Sequence, residues 1–146
     1  MAALTDFTAY ADAQKHFTKD ALWDLFDGDR ARFNIGRECL DRHPRDNVAM
    51  QVVLADGGYD RFTFGELADY SSRFANYLRD RGVRPGERVA IMLEPSRALY
   101  VAAFGAMKAG CIVVPLFTLF GPDGLALRID DCTPSLLLTN PGKADM

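Results

Sequence analysis

The chain has 146 residues, of which 49% are hydrophobic and 25% charged, and its formal net charge is −3. A chain of this length can bury about two-thirds of its unfolded surface, which argues against wholesale disorder. The acidic balance argues against non-specific nucleic-acid binding, because that binding needs clustered positive charge. No basic leader precedes an apolar run and no apolar stretch reaches membrane-spanning length, so we expect a cytoplasmic protein without a membrane span.

The N-terminal third predicts short helices. Residues 5–27 carry apolar side chains at helical spacing and predict one or two amphipathic helices that end at Asp27-Gly28-Asp29. Residues 33–44 predict a further short helix that Pro44 stops. We therefore assign residues 1–44 to an N-terminal helical layer that wraps a larger body, which residues 45–146 form.

A β-hairpin and a long helix follow. The runs NVAMQVVL and YDRFTF flank four turn-forming residues, 55–58, and this pattern is typical of a hairpin. Thr63 and Glu66 have the spacing of a capping box, which marks the start of a helix. Gly82 suits a left-handed helix end. The apolar positions that repeat along this helix are Leu67, Tyr70, Phe74, Tyr77 and Leu78.

From Arg88 to Thr139 the pattern reads β-α-β-α-β. The strands RVAIML, CIVVPL and SLLLT are apolar on both faces, which is typical of a parallel sheet covered by helices. Ser96 can cap the first intervening helix, and Pro122 occupies the first position of the second. Gly105 lies within the first helix and predicts close packing against the sheet. The predicted fold class is therefore α/β.

No catalytic constellation is visible in these elements. Gly105 and Gly110 have the spacing of a phosphate-binding loop, but they lie within and at the end of a helix, and the motif's lysine is missing. The three cysteines, Cys39, Cys111 and Cys132, form no C-x-x-C pair, so we expect neither a metal site nor a disulfide framework. We expect no catalytic residue in this chain.

Residues 33–140 nevertheless resemble the opening of an adenylate-forming acyl-CoA synthetase, a member of the AMP-binding ligases. The segments that carry the resemblance are FNIGRECLDRHP, PSLLLTN and the long run between them, in which the F-T-F start, the G-x-x-x-G-E-R-V turn, the K-x-G helix end and the V-V-P-L strand occur in the family's order. The N-terminal segments are most similar to the branch with acetyl-, medium-chain and aromatic acyl-CoA synthetases. The resemblance implies an incomplete part of that fold's large N-terminal domain.

The resemblance also implies a reaction and a set of binding residues. A carboxylate, ATP with Mg²⁺, and CoA would give acyl-CoA, AMP and pyrophosphate through an acyl-adenylate. Positions Phe117, Thr118 and Leu119 match a loop beside the nucleotide end of CoA, and Lys143 lies near a position where basic residues meet the CoA phosphate. The family's phosphate loop has no counterpart before Met146. The resemblance therefore predicts that this chain alone is inactive, binds no cofactor tightly and has the remainder of its own adenylation domain as its partner.

The residues alone leave a second interpretation of the function open. A stand-alone, non-catalytic α/β module could bind a nucleotide or a protein through the loops at the carboxyl ends of its strands, where α/β folds bind ligands. Binding of ATP or CoA that is lost when Phe117 or Thr118 changes would favour this alternative. Exposed apolar surface where the rest of a large domain should pack would favour the interpretation as part of a ligase.

Overall fold

The computed structural model describes residues 2–144 of the chain. They form two compact units, which divide between Asn34 and Ile35. The division falls before a π-helical turn, Arg37–Asp41, because that turn packs on a long helix of the second unit. The predicted boundary after residue 44 stays a prediction.

The first unit consists of short helical segments around an aromatic cluster. Its helices are α1 (Tyr10–Lys15) and α2 (Lys19–Trp23), flanked by 3-10 turns at Leu4–Asp6 and Arg30–Arg32. The rings of Trp23, Phe26 and Phe33 meet edge to face, with centroids 5.1 to 5.7 Å apart. The sequence predicted one or two short helices within residues 5–27, and the structure has two.

The second unit begins with the predicted hairpin. Strands β1 (Val48–Val53) and β2 (Tyr59–Thr63) pair antiparallel, with Val53 opposite Tyr59. Gly57 in the connecting turn has a φ of +84°, a conformation that glycine adopts without strain. Both strands expose apolar side chains, including Val53 and Tyr59.

Helix α3 (Phe64–Asp80) starts with the predicted capping box. The Glu66 amide donates to Thr63 Oγ1 at 3.2 Å, and the Thr63 amide donates to Glu66 Oε2 at 2.9 Å. Leu78 is fully buried on the inner face. Tyr70 and Tyr77 differ from the predicted apolar face because they are 38% and 42% exposed. A tyrosine ring can fit the apolar spacing of a helix while its hydroxyl stays in water.

The predicted β-α-β-α-β order is confirmed as a parallel sheet. Strands β3 (Arg88–Met92), β4 (Ile112–Pro115) and β5 (Leu136–Thr139) alternate with α4 (Arg97–Lys108) and α5 (Pro122–Cys132), and the order across the sheet is β4-β3-β5. Both pairings of the central strand are parallel. In residues 2–144, no helix is both long and apolar enough to cross a membrane.

Helices cover both faces of this sheet. Val89 and Ile91 of the central strand pack on one face with Ala102 and Ala106 of α4 and with Leu78 of α3. On the other face, Ala90 and Met92 pack with Leu116 and with Leu125 of α5. Because alternate residues of one strand supply the two cores, the central strand is buried on both sides, as the apolar sequence predicted.

Gly105 is the point where α4 lies closest to α3. A Cβ atom at Gly105 would lie 2.7 Å from the Ser71 carbonyl oxygen and 2.8 Å from Phe74 Cδ1. The prediction that Gly105 packs against the sheet is therefore wrong: the glycine faces a helix. Lys108, one turn further along α4, reinforces the same contact, since its ammonium donates to the Ala68 carbonyl and the Ser72 hydroxyl at 3.1 Å and pairs with Asp41.

Candidate functional site

The carboxyl ends of the three parallel strands meet at one edge of the sheet. Ile91 pairs with Pro115 and Met92 with Thr139, so the loops after β3, β4 and β5 leave the sheet side by side. This edge is where parallel α/β folds bind ligands. It carries all four residues that the sequence nominated for contact with CoA.

The loop after β4 alternates between solvent and interior. Phe117 and Leu119 are 60% and 77% exposed, whereas Thr118 between them is buried. The Phe117 ring meets the edge of Phe120 at 6.0 Å, and the Arg128 guanidinium lies over Phe120 at 3.8 Å. The loop therefore presents two apolar side chains to water on a support that α5 helps to hold.

Lys143 joins this loop to the segment after β5. Its ammonium donates to the Thr118 carbonyl oxygen, and the lysine is only half-buried. The contact links residues 25 positions apart and spans the end of the central strand. The structure thus brings Lys143 onto the loop that holds Phe117 and Leu119, and their role in binding CoA stays a prediction.

Ser96, which follows β3 near this edge, has a structural role. Ser96 Oγ accepts from the Leu99 amide at 3.3 Å and so caps α4, as predicted. Gly105 lies inside α4 and Gly110 follows its end with a φ of +77°, so neither belongs to a phosphate loop. Within residues 2–144, no group of three His, Cys, Asp or Glu side chains is placed to hold a metal ion.

The groups with perturbed pKa values lie at the opposite edge of the sheet. Glu87 precedes β3, and the hydrogen bond that it accepts from the Arg84 amide at 2.9 Å lowers its pKa. Cys111 precedes β4, and burial, followed by the nearby Glu87 charge, raises the pKa of its thiol. Perturbed pKa values often mark catalytic sites, but these two have structural causes and face away from the candidate loops.

The second unit also contains a groove that the sequence analysis did not identify. It has a volume of about 510 Å³ and lies between the hairpin and the start of α4. Its walls combine apolar side chains with the charges of Asp60 and Arg97; they comprise Val52, Leu54, Asp60, Phe62 and residues 95–98. Only the long-range contact of hairpin and helix creates this groove, so no local signal in the sequence pointed to it.

Comparisons with known proteins agree with this architecture. The model of the AMP-binding enzyme family matches residues 37–146. The acetyl-coenzyme A synthetase of Desulfatibacillum aliphaticivorans is 33% identical over 124 residues, covering 82% of this chain and 19% of that protein. The acetyl-coenzyme A synthetase of Drosophila melanogaster is 34% identical over 118 residues, covering 77% and 18% respectively.

Solved structures give the same result. The crystal structure of a Brucella canis acyl-CoA synthetase superposes with a TM-score of 0.87 at 31% identity, covering 95% of this chain and 26% of that one. The present chain spans about a fifth of the length of the curated relatives that it matches. The predicted α/β class and the predicted family are both confirmed, and the chain belongs to the AMP-binding enzyme family.

Proposed function

We propose that this chain forms the first part of the large adenylation domain of an ATP-dependent acyl-CoA synthetase. The observation that carries the proposal is the family match over residues 37–146, together with a fold that follows a solved acyl-CoA synthetase over 95% of the chain. The complete enzyme would join a carboxylate to CoA through an acyl-adenylate and release AMP and pyrophosphate. Since ATP and CoA are intracellular substrates, we expect it to act in the cytoplasm.

The described residues support a division of labour within that enzyme. Between residues 2 and 144 we find neither a nucleophile paired with a base nor a cluster of metal ligands. Ser71, the fully buried hydroxyl of α3, is used in a hydrogen bond to the Ala68 carbonyl at 3.0 Å. Phosphate activation and the Mg²⁺ that accompanies ATP would therefore depend on residues outside this chain, and the chain alone would not turn over substrate.

The edge with Phe117 and Lys143 has side chains that fit the nucleotide end of CoA. An exposed aromatic ring offers a flat surface on which adenine can stack. An ammonium group has three donors, so Lys143 can keep its bond to the Thr118 carbonyl while another N–H meets a phosphate oxygen. Leu119 adds apolar surface beside the ring. We propose that these residues bind CoA during the second half-reaction and have no part in adenylate formation.

The edges of the parallel sheet support the proposal that further parts of the domain cover it. Among residues 2–144, strands β4 and β5 each pair with β3 on one side only. Ile112 at one edge is 53% exposed and Leu137 at the other is 39% exposed. Natural proteins usually protect such edges, because unpaired strands aggregate. We propose that the remainder of the adenylation domain packs here.

The test uses the longer protein translated from the reading frame that contains this chain. With acetate, the substrate that the relatives' names suggest, we expect release of pyrophosphate that needs ATP and the carboxylate, and formation of acetyl-CoA when CoA is added. Because acyl specificity is open, longer and aromatic carboxylates are assayed in parallel. Failure of every carboxylate to release pyrophosphate would refute the ligase assignment. Turnover by the 146-residue chain alone would refute the division of labour.

The CoA-binding role has a separate readout. Phe117→Ala and Lys143→Ala should each raise the KM for CoA by about threefold to tenfold, while carboxylate-dependent pyrophosphate release in the absence of CoA stays unchanged. Leu127→Ala on α5 is the matched control, because Leu127 is 69% exposed but lies outside the loop. Equal KM values for all three variants and the wild type would refute the role of this edge.

A further inference from the structure

The outer surface of α3 and the start of α4 carry an unusual arrangement of arginines and tyrosines. The Arg97 guanidinium lies 5.0 Å from the centre of the Tyr70 ring and 5.3 Å from that of Phe62. Arg73 lies 5.5 Å from the centre of the same Tyr70 ring. Arg81 lies 5.1 Å from the centre of the Tyr77 ring, which is about two turns beyond Tyr70 along α3. We call these six residues the arginine–tyrosine strip.

The arginines of this strip differ from most others in how their N–H groups are used. Arg30, Arg42 and Arg45 form ion pairs with carboxylates, and Arg88 donates to the end of α5. By contrast, Arg73, Arg81 and Arg97 have no hydrogen bond or ion pair with any residue in the described part of the chain. All three are exposed, so their planar donors are directed to water.

Two of these charges are held close together. Because Arg73 and Arg97 share the Tyr70 ring, their guanidinium carbons are no more than about 10.5 Å apart. An anion midway between them would lie no more than about 5.3 Å from either guanidinium carbon, which is inside the Debye length of about 8 Å at physiological salt. A guanidinium that is fixed on an aromatic ring has also lost much of its conformational freedom, so less is lost when it binds an anion. The pair is therefore pre-organised for a partner with negative charge.

The acidic groups around the strip leave it positive. On α3, Glu66 is held in the capping box and Asp69 pairs with Arg45. Asp80 lies in the last turn beside Arg81, and Asp60 lines the groove that Arg97 also lines. Neither carboxylate reaches a strip arginine within ion-pair distance among residues 2–144. The exposed Asp60 and Asp80 border the strip at its two ends and limit the length of an anionic partner.

We propose that the arginine–tyrosine strip docks a short acidic segment of another protein. From Tyr70 to Arg81 the strip extends about 16 Å along α3, which matches about five residues of extended peptide. Arginine and tyrosine are the residues that dominate binding energy at protein interfaces. The chain as a whole has a net charge of −3, so a long polyanion such as a nucleic acid or an anionic bilayer would be repelled by the surrounding surface. A short acidic segment would contact only the strip and would avoid the negative charge of the surrounding surface.

The test measures binding of a fluorescein-labelled peptide of about six alternating Glu and Asp residues, with a Gln and Asn peptide of the same length for comparison. We expect the longer protein translated from the reading frame that contains this chain to bind the acidic peptide in low salt and not the neutral one. Arg73→Gln combined with Arg97→Gln should weaken binding by about tenfold or more. Lysine at both positions keeps the charge but loses the planar stacking, so it should reduce the affinity for the acidic peptide less than glutamine does.

Arg61→Gln is the matched control, because Arg61 also lies over a tyrosine, Tyr59 at 4.6 Å, but outside the strip. It should change the affinity by less than about twofold. Circular dichroism of each variant establishes that it is folded. No binding of the acidic peptide at millimolar concentration would overturn the proposal, as would an equal loss in Arg61→Gln. Tighter, strip-dependent binding to phosphatidylserine vesicles or to a single-stranded oligonucleotide would also overturn it.

Discussion

Replacing Gly105 by alanine tests the contact on which the second unit's helical layer depends. Alanine within a helix normally stabilises a protein by about 1 kcal/mol relative to glycine, because it restricts the unfolded chain and favours helix. At Gly105 the new methyl group would lie 2.7 Å from the Ser71 carbonyl oxygen and 3.0 Å from Phe74 Cβ. Real Cβ atoms do not come so close to backbone atoms, so α3 and α4 would have to separate.

The expected sign follows from these distances. Inserting a methyl group into a closely packed contact typically costs about 1–3 kcal/mol, and a backbone carbonyl within a helix can relieve the overlap less easily than a flexible side chain can. Because the overlap here is with backbone, we expect a cost in the upper half of that range, about 2–3 kcal/mol. Subtracting about 1 kcal/mol for the helix preference of alanine, we expect Gly105→Ala to lower the free energy of unfolding by about 1–2 kcal/mol. Separation of the helices would also weaken the Lys108 contacts with Ala68 and Ser72.

Urea unfolding followed by circular dichroism measures this change, and Gly124→Ala provides the matched control. In α5 a Cβ atom at Gly124 would meet only Arg128 Nη1 at 3.7 Å and Phe120 at 3.9 Å, which are ordinary contacts. We expect that variant to be unchanged or stabilised by up to about 1 kcal/mol. A Gly105→Ala protein as stable as the wild type, or more stable, would show that α3 and α4 do not approach as closely as described.

Three further changes have expected outcomes. Lys108→Met should lower the free energy of unfolding by about 1–3 kcal/mol, since its ammonium is mostly buried among hydrogen-bond acceptors; Lys15→Met, at an exposed pair with Asp12, should change it by less than about 0.5 kcal/mol. The hydrogen bond from the Arg84 amide lowers the pKa of Glu87. The ionised carboxylate therefore stabilises the folded protein fully above the usual pKa range of carboxyl groups, and this stabilisation is lost as the pH falls through the lowered pKa. The stability difference between wild type and Glu87→Gln should therefore shrink between pH 7 and about pH 3, and a constant difference in urea titrations would contradict this. Ellman's reagent should label the exposed Cys39 quickly and the buried Cys111, whose thiol pKa is raised by burial, only on unfolding. Because Cys132 is partly exposed, the test uses Cys39→Ser combined with Cys132→Ser, and fast labelling that persists in this double variant would contradict the burial of Cys111.

The elements that the sequence predicted correctly have signals within a few residues. Thr63 and Glu66 marked the start of α3, and Ser96 and Pro122 marked the starts of α4 and α5. The four turn residues between the apolar runs marked the hairpin, where Gly57 takes a positive φ. Each signal satisfies backbone groups locally, so it can be recognised without knowing what the element packs against.

The errors and omissions have a common cause in long-range packing. The strand order β4-β3-β5 depends on which edge each crossover returns to, and no local residue encodes it. Gly105 predicted a close approach correctly, but its partner proved to be α3 and not the sheet. Tyr70 and Tyr77 fitted the apolar spacing of α3 and are nonetheless exposed, because a phenol ring satisfies the same pattern while keeping its hydroxyl in water.

The same distinction between local signals and long-range packing applies to the candidate site: the sequence predicted its loop but not the contacts within it. The resemblance to acyl-CoA synthetases nominated Phe117 and Leu119, and their position after an apolar strand predicted a loop at the edge where parallel sheets bind ligands. The contact between Lys143 and the Thr118 carbonyl joins the ends of two strands that are both neighbours of β3, so it exists only in this strand order. A lysine that is already bonded to the loop gives that loop a defined position before any ligand arrives. Under the proposed CoA-binding role, a phosphate would therefore meet an ammonium whose position the fold already defines.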